Sequence, residues 1–381
     1  MTLHWDAATV ALQPPFAVVD LDAFDANATD LVRRAAGTPI RVASKSVRCR
    51  SLLSRALARP GFAGVMSYAV PEARWLVAEG FEDVFVAYPS VDRAALAEVA
   101  ADAREAAQVT LTVDSLEHVD FLAALDRPHG LRVAIDVDAS LRIGRVHLGV
   151  RRSPLREPSE AVAVARAAAS AGLSVVGLMF YDAQIAGLPD SSPAVRLVKK
   201  RSAESLVQRR GEVVAAVREV ADLKFVNGGG TGSLHLTGED PAVTELAAGS
   251  GLYGPTLFDG YDDFTPQPAA AFALPVVRRP GPGFVTAFGG GYVASGPPGW
   301  SRVPAPFGRS NVKLIKSEGV GEVQTPLQGK GVRDLQLGDR VWFRYAKAGE
   351  MCERFDALHL VRGEQLVKTV PTYRGEGKNF G

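Results

Sequence analysis

Hydrophobic positions in the first two-thirds of the chain follow two patterns, short β-branched runs and longer alanine-rich stretches. A short apolar run bounded by glycine or polar residues is typical of a buried parallel strand, and the longer stretches have helical spacing. Eight strands with intervening helices predict a closed (β/α)8 barrel rather than an open sheet. The predicted strands are Ile40–Ala43, Gly64–Ser67, Asp83–Ala87, Val109–Val113, Arg132–Asp136, Ser174–Met179, Phe225–Asn227 and Glu245–Ala248.

A strand-like segment, PFAVVD, precedes the barrel at residues 15–20. The first helix is predicted over Leu21–Ala36, and Asp22 is a candidate N-cap because its carboxylate can accept from free backbone N–H groups. The other predicted helices are Arg50–Ala58, Val70–Glu79, Arg93–Ala107, Ser115–Leu125, Pro158–Ala171 and Ser202–Val220.

The pattern changes after Asp263, where five prolines interrupt the chain before short strands with glycine-rich turns begin. Segments such as FVTAFGGGYV and DRVWFRY predict a β-domain. We therefore expect an α/β protein with a barrel at residues 21–263 and a C-terminal β-domain at residues 264–381. The strand at 15–20 is expected to join the β-domain.

Composition narrows the class of protein. Hydrophobic residues make up 47% and charged residues 22% of the chain, and the formal net charge is +1, so neither nucleic acid nor an anionic membrane is an expected partner. No apolar run approaches the ~20 residues that span a bilayer. The sequence begins without a secretion-signal pattern, and only Cys49 and Cys352 are present. A cytoplasmic location is expected.

Lys45 stands in the segment VASKSVR, at the end of the first predicted barrel strand. Chemistry in such barrels lies at the carboxyl ends of the strands. Desolvation and a neighbouring cation such as Arg48 would lower the pKa of the lysine and make it a nucleophile. The alternative is an ordinary solvated lysine, and this segment alone does not decide between the two.

Two glycine-rich turns follow the seventh and eighth strands. In the first, NGGGTGS, glycines let the backbone approach an anion and hydroxyls add donors. Barrels commonly build a phosphate site after strands seven and eight. The combination with Lys45 indicates a phosphorylated aldehyde cofactor. The candidate binding residues in the two turns are Gly229, Gly230, Thr231, Ser250, Gly251 and Tyr253.

Two further segments carry candidate site residues. Arg142 lies in DVDASLRIG after the fifth strand, and its planar guanidinium suits a phenolic oxygen or a carboxylate. Tyr181 lies in MFYDAQ after the sixth strand, where it can stack beside a cofactor or relay a proton. The alternative for Arg142 is a structural role in ordering its own loop. The alternative for Tyr181 is packing at the barrel rim.

Glu350 and Cys352 are two residues apart in AGEMCERF. In a strand they would face the same side and share a divalent ion such as Mn²⁺, Mg²⁺ or Zn²⁺. Two ligands make up only half of a metal site, and a cysteine is more often a small buried hydrophobic residue than a metal ligand. His359 would complete the site only if the strand were interrupted.

Together these motifs resemble the alanine-racemase-fold (fold-type III) pyridoxal-phosphate enzymes, specifically their D-threonine aldolase and D-serine dehydratase branch. The resemblance covers nearly the whole chain and rests on the order of the motifs. It implies pyridoxal 5'-phosphate as cofactor, Lys45 as the Schiff-base lysine, phosphate binding by the two glycine turns, and cofactor contacts from Arg142 and Tyr181. It also implies a homodimer.

The chain departs from that branch at two positions. The branch has a histidine in the first position of the C-terminal metal pair, where this chain has Glu350, and commonly a histidine where this chain has Gln184. The leading hypothesis is a lyase that acts on a small D-configured β-hydroxy amino acid by retro-aldol cleavage or dehydration, with Lys45, Tyr181 and Glu350 as catalytic residues. The alternatives are an amino acid racemase, with Tyr292 or Tyr345 as second acid–base group, and a non-catalytic cofactor-binding protein.

Overall fold

The computed structural model describes residues 4–126 and 130–381. Its strands, in chain order, are β1 (Phe16–Asp20), β2 (Ile40–Ala43), β3 (Phe62–Ser67), β4 (Val84–Val86), β5 (Val109–Val113), β6 (Arg132–Asp136), β7 (Leu141–Ile143), β8 (Val146–Leu148), β9 (Ser174–Phe180), β10 (Phe225–Gly228), β11 (Glu245–Ala248), β12 (Ala270–Gly281), β13 (Phe284–Phe288), β14 (Ala305–Phe307), β15 (Lys313–Leu314), β16 (Gln324–Gln328), β17 (Arg340–Arg344), β18 (Ala357–Arg362) and β19 (Gln365–Pro371).

The α-helices of the described residues are α1 (His4–Ala8), α2 (Leu21–Arg34), α3 (Arg50–Leu57), α4 (Val70–Ala78), α5 (Arg93–Ala101), α6 (Ala103–Gln108), α7 (Leu116–Ala123), α8 (Pro158–Ser170), α9 (Ala183–Ala186), α10 (Pro193–Arg218), α11 (Leu234–Thr237) and α12 (Ser250–Tyr253). None of them combines the length and apolar composition needed to cross a membrane.

Two compact units make up the chain. One consists of Leu31–Ser44, Arg55–Ala248 and Phe380–Gly381, and the other of the described residues up to Asp30, Lys45–Ser54 and Gly249–Asn379. Each unit is assembled from several chain segments, so the domain boundary at Asp263 stays a prediction.

The first unit contains a closed barrel of eight parallel strands, in the order β2-β3-β4-β5-β6-β9-β10-β11. The barrel closes where β11 pairs with β2, with Leu246 opposite Ile40. The predicted fold class, an eight-stranded barrel with a C-terminal region of mostly β-structure, is confirmed. The core lies inside the barrel, because Phe85 of β4 and Phe225 of β10 are not on neighbouring strands and yet their ring centroids are 5.3 Å apart.

A buried ion cluster lies inside the same barrel. Arg41 of β2 is 2% exposed and donates to both carboxylate oxygens of Glu245, at 2.8 Å each, and to Asp83. Burial lowers the pKa of Arg41, but the charges of Glu245 and Asp83 outweigh it and raise the pKa above its usual value. Gly64 leaves room for the guanidinium, since a Cβ there would lie 2.4 Å from Nη1 of Arg41.

The second unit is built on a nine-stranded sheet, with the central order β15-β16-β13-β12-β1-β18-β19. The N-terminal strand β1 lies in the middle of this sheet, antiparallel to β12 and parallel to β18. All five residues of β1 are buried, as the uninterrupted apolar run PFAVV requires of a strand covered on both faces.

Three helix predictions need correction. The N-cap of α2 is Asp20 rather than Asp22, because Oδ1 of Asp20 accepts from the backbone N–H groups of residues 22 and 23. The helix expected over residues 93–107 is two helices, divided at Asp102, whose carboxylate caps α6. The helix α10 begins at Pro193, well before the predicted start, with Ser192 as its N-cap.

Replacing Glu245 with alanine is expected to lower the free energy of unfolding by about 3 kcal/mol, because Arg41 remains buried with a single carboxylate partner. The matched control is Glu239→Ala, at an exposed position, with an expected change within about 0.5 kcal/mol. Urea titration followed by circular dichroism measures both. Equal transition midpoints for the two variants would show that the ion cluster contributes nothing to stability.

Candidate active site

The turn after β10 is shaped by glycines. Gly229 has a φ of +75°, which favours glycine, and a Cβ on Gly230 would lie 2.9 Å from the Cβ of Ala186. The backbone N–H of Gly230 donates to the Oγ of Ser233 at 3.1 Å. The carbonyl of Thr231 accepts from Nη1 of Arg34 at 2.7 Å. The turn therefore has a fixed shape and leaves its backbone open to close approach.

The buried carboxylate of Asp182 holds this turn through hydrogen bonds. Asp182 is fully buried and accepts from Oγ of Ser233 at 3.3 Å and from Oγ1 of Thr237 at 2.8 Å. Burial raises the pKa of Asp182, and the charge of Arg210 opposes the rise. Arg210 is itself buried and paired with Asp240. The role of Asp182 could not be predicted from the motif MFYDAQ, since its partners lie about fifty residues away in the chain.

Tyr181 directly follows β9, where it was predicted. Burial raises the pKa of its hydroxyl. The guanidinium of Arg152 lies over its ring, 4.8 Å from the centroid, and 5.5 Å from the ring centroid of Tyr88. Arg152 was missed in the sequence, because nothing in its local pattern shows that it stacks on tyrosines from two other strand ends.

Asp136 ends β6 and is 6% exposed. Its pKa is raised to about 8, mainly by burial and further by the nearby charges of Asp114 and Asp138, while Arg152 opposes the rise. Asp114 in turn pairs with Nδ1 of His118 at 2.8 Å. Asp136 is therefore a carboxyl group that keeps its proton near neutral pH. This property could not be predicted from the residues around Asp136 in the chain, because it depends on burial.

Arg142 lies on the two-stranded hairpin of β7 and β8. Its Nη2 donates to Oδ2 of Asp138 at 2.8 Å, and Arg156 donates to the same oxygen. Arg142 thus orders its own loop, and a cofactor contact from it stays a prediction. Gln184, which stands where the resembled enzymes commonly have histidine, donates to the carbonyl of Ala139 at 2.7 Å.

Lys45 belongs to the second compact unit and occupies a short 3-10 turn, Ser44–Ser46, directly after β2 in the chain. Its side chain is exposed. The turn packs tightly, because a Cβ on Gly349 would lie 2.0 Å from the carbonyl oxygen of Lys45. Ser46 and Ser250 hydrogen-bond through their hydroxyls at 3.1 Å, so the segment of the lysine contacts the start of α12.

Tyr253 ends α12 and is 1% exposed. Its hydroxyl donates to the carbonyl of Val47 at 2.7 Å. The predicted residues Ser250, Gly251 and Tyr253 therefore lie on one short helix whose contacts fix the segment that follows Lys45. The interpretation of these residues as cofactor ligands stays a prediction.

Glu350 and Cys352 do not lie on the same side of a strand, as the strand interpretation required, since residues 350–353 form a 3-10 helix. The carboxylate of Glu350 accepts from the backbone N–H of Ser295 at 2.8 Å and from its hydroxyl at 2.5 Å. Cys352 is fully buried, its Sγ donates to the carbonyl of Val47, and burial raises the pKa of the thiol. His359 contacts Thr369 instead.

The described residues contain no group of three or more histidine, cysteine or acidic side chains able to hold a metal ion. The donors present also do not suit one, because the Sγ of Cys352 is fully buried against the carbonyl of Val47 and the carboxylate of Glu350 accepts two hydrogen bonds from Ser295.

Residues 19–256 match the family described as alanine racemase, N-terminal domain. This match covers more than half of the chain, so the chain belongs to that family. Among curated proteins, it is 26% identical over 242 residues to a 3-hydroxy-D-aspartate aldolase of Paracoccus denitrificans (strain Pd 1222), a match that covers 63% of this chain and 60% of that protein. It is 28% identical over 260 residues to a D-threonine aldolase of Arthrobacter sp, a match that covers 65% of this chain and 64% of that protein.

The chain thus spans less than two-thirds of the length of these curated relatives. Among solved structures, a D-threonine aldolase from Filomicrobium marinum superposes with a TM-score of 0.81 at 24% identity, over 96% of each chain. A D-threo-3-hydroxyaspartate dehydratase from Delftia sp. HT23 gives a TM-score of 0.75 at 20% identity, over 96% of this chain and 98% of that one. Both structures share the fold of this protein, and the resemblance to this branch is confirmed.

Replacing Asp136 with asparagine is expected to change how stability depends on pH. The folded chain holds the Asp136 proton up to about pH 8, and the unfolded chain loses it near its ordinary pKa. The wild-type protein therefore loses stability as the pH rises between these two values, and the variant does not. The Tm of the variant should therefore rise relative to the Tm of the wild type as the pH increases from about 5 to about 8.

The control for this measurement is Asp120→Asn, at an exposed aspartate of the same unit. Its Tm difference from wild type should stay constant over the same pH range. A constant difference for Asp136→Asn as well would mean that Asp136 titrates normally in the folded protein.

Proposed function

We propose that the protein is a pyridoxal-phosphate-dependent lyase that acts on a small β-hydroxy amino acid of D configuration, with Lys45 holding the cofactor covalently. The glycine turn after β10 carries this proposal. Gly230 packs so closely against Ala186 that a Cβ there would lie 2.9 Å from the Cβ of Ala186, and the turn is held in shape by Ser233 and Asp182. A rigid backbone turn without side chains suits a phosphate group, so the residues present fit the cofactor.

The relatives support the reaction class. The names of the curated relatives are those of aldolases for 3-hydroxy-D-aspartate and D-threonine, and a related fold belongs to a D-threo-3-hydroxyaspartate dehydratase. All three substrates carry a hydroxyl group at Cβ. We propose the same substrate class for this chain.

Each candidate residue then has a role. We assign the cofactor phosphate to Gly229, Gly230 and Thr231, with Ser250, Gly251 and Tyr253 as further binders in α12. Tyr181 and Arg142 are proposed to contact the cofactor ring. When bound, the cofactor supplies an electron sink for negative charge at the substrate Cα.

The chain's own groups move the protons. In dehydration, the amine of Lys45 takes the proton from Cα of the substrate. In retro-aldol cleavage, the β-hydroxyl loses its proton as the Cα–Cβ bond breaks. We propose Glu350 as the group that exchanges this hydroxyl proton, because Ser295 fixes the orientation of its carboxylate. No step passes through a metal ion, since Glu350 and Cys352 do not fit one.

We further propose that the protein is a cytoplasmic homodimer, as the resemblance implies. Light scattering coupled to size-exclusion chromatography measures the assembly, and a mass of one chain would contradict it.

Replacing Lys45 with alanine is expected to remove the visible absorbance of the covalently bound cofactor and to lower kcat at least about 100-fold. Lys316→Ala, at an exposed lysine of the same unit, should leave both unchanged. Absorbance spectra and steady-state kinetics measure the two effects, and circular dichroism checks that each variant folds. If Lys45→Ala retains the cofactor absorbance, another residue holds the cofactor.

Product analysis tests the reaction itself. The cofactor-loaded enzyme is incubated with D-threonine, D-serine and 3-hydroxy-D-aspartate, with and without Mn²⁺ or Zn²⁺. Glycine with an aldehyde identifies retro-aldol cleavage, and a keto acid with ammonia identifies dehydration. The lyase proposal fails if neither product set forms, and solvent deuterium at Cα with inverted configuration would indicate a racemase.

A further inference from the structure

Three polar side chains lie near one another at the ends of β6 and β9 and in the loop after β8. Among the described residues, the guanidinium of Arg152 and the hydroxyl of Tyr181 make no side-chain hydrogen bond or ion pair, and the carboxyl of Asp136 accepts only from the backbone N–H of the adjacent Val137. Asp136 is also 6% exposed. Buried carboxyl groups normally accept several hydrogen bonds, so the sparse hydrogen bonding of Asp136 leaves room for a further partner such as a ligand.

Arg152 differs from the other arginines of this region. Arg142 and Arg156 both donate to Asp138, and Arg209 donates to the carbonyl groups of residues 138 and 140. These three arginines order the loop after β6. Arg152, which is exposed to solvent, instead lies over the rings of Tyr88 and Tyr181.

Stacking on aromatic rings leaves the donors of a guanidinium free. The positive charge is attracted to the faces of the rings, while the N–H groups point outward in the plane of the guanidinium. Two of these N–H groups match the two oxygens of a carboxylate. The rings of Tyr88 and Tyr181 thus hold Arg152 in one orientation without using its hydrogen bonds.

Asp136 leaves this cation uncompensated. Since the pKa of Asp136 is raised to about 8, its carboxyl is mostly neutral at pH 7 and can donate a hydrogen bond. The two other acidic groups nearby already have partners, since Asp114 is paired with His118 and Asp138 with Arg142 and Arg156. A negatively charged ligand would therefore meet one free guanidinium and one neutral acid.

We propose that Arg152 binds a carboxylate of the amino-acid substrate, oriented by Tyr88 and Tyr181 and assisted by Asp136. The inference rests on the proposed function for the identity of the ligand. D-Threonine offers its α-carboxylate alone, whereas 3-hydroxy-D-aspartate also offers a side-chain carboxylate, so a comparison of the two substrates shows which carboxylate binds.

The test uses Arg152→Met, which removes the charge, and Arg152→Lys, which keeps the charge and loses the planar fork. The control is Arg151→Met, at an exposed arginine one residue earlier. In the cofactor-loaded enzyme, Arg152→Met should raise KM about 10-fold to 100-fold with a smaller change in kcat. Arg152→Lys should recover part of this loss, and Arg151→Met should match wild type.

A rise in KM for both substrates assigns Arg152 to the α-carboxylate, and a rise for 3-hydroxy-D-aspartate alone assigns it to the side-chain carboxylate. A KM within twofold of wild type for both substrates would overturn the inference.

A binding measurement separates this inference from the proposed function. Calorimetric titration with succinate, a dicarboxylate without an amino group, requires no turnover. Succinate should bind the wild-type protein and Arg151→Met equally, and Arg152→Met at least about 10-fold more weakly. If the wild-type protein has no lyase activity but this difference remains, the proposed function fails and the carboxylate site stands. Equal succinate affinities for wild type and Arg152→Met would overturn the site.

Discussion

The pairing of β11 with β2 is the contact on which the rest of the barrel unit depends. A parallel sheet brings the carboxyl ends of its strands to one edge, and closure turns that edge into a ring. Arg41 joins the two closing strands with a side-chain interaction, because it lies on β2 and donates to Glu245 on β11. The ion cluster is buried beside Phe225, whose ring lies 5.3 Å from the guanidinium. The apolar core and the charges that close the barrel therefore occupy the same interior.

Polar groups in this unit divide into two kinds. Arg41, Arg210 and Asp182 are paired with side chains within the unit and connect segments that are distant in the chain. Arg152 is exposed and pairs with no charged side chain among the described residues, and Asp136 beside it accepts only from the backbone of Val137. The paired groups hold the frame of the unit, and the second group offers hydrogen bonds that a ligand could complete.

The sequence predicted the barrel well, and several strands to the residue, because their apolar runs end abruptly at turns. The bounds of β2, β5, β6 and β11 match the predicted ranges. The predicted start of α10 was wrong, although a serine followed by a proline, as at Ser192 and Pro193, is typical of the start of a helix. The strand predicted at Glu350 and Cys352 was wrong for a local reason: Gly349 has a φ of +81°, which turns the chain, and the next residues are helical rather than extended. Asp182 and Arg152 could not be found from the sequence, because their roles arise from contacts between distant segments.

The glycine at position 349 has a consequence for how this protein can vary. It lies far from Lys45 in the chain, yet its Cα sits against the carbonyl of that lysine with no room for a methyl group. The backbone of the lysine turn is thus set by a residue with no reactive group of its own. In a library of random variants, position 349 would tolerate little change even though it carries no side chain, for a purely steric reason.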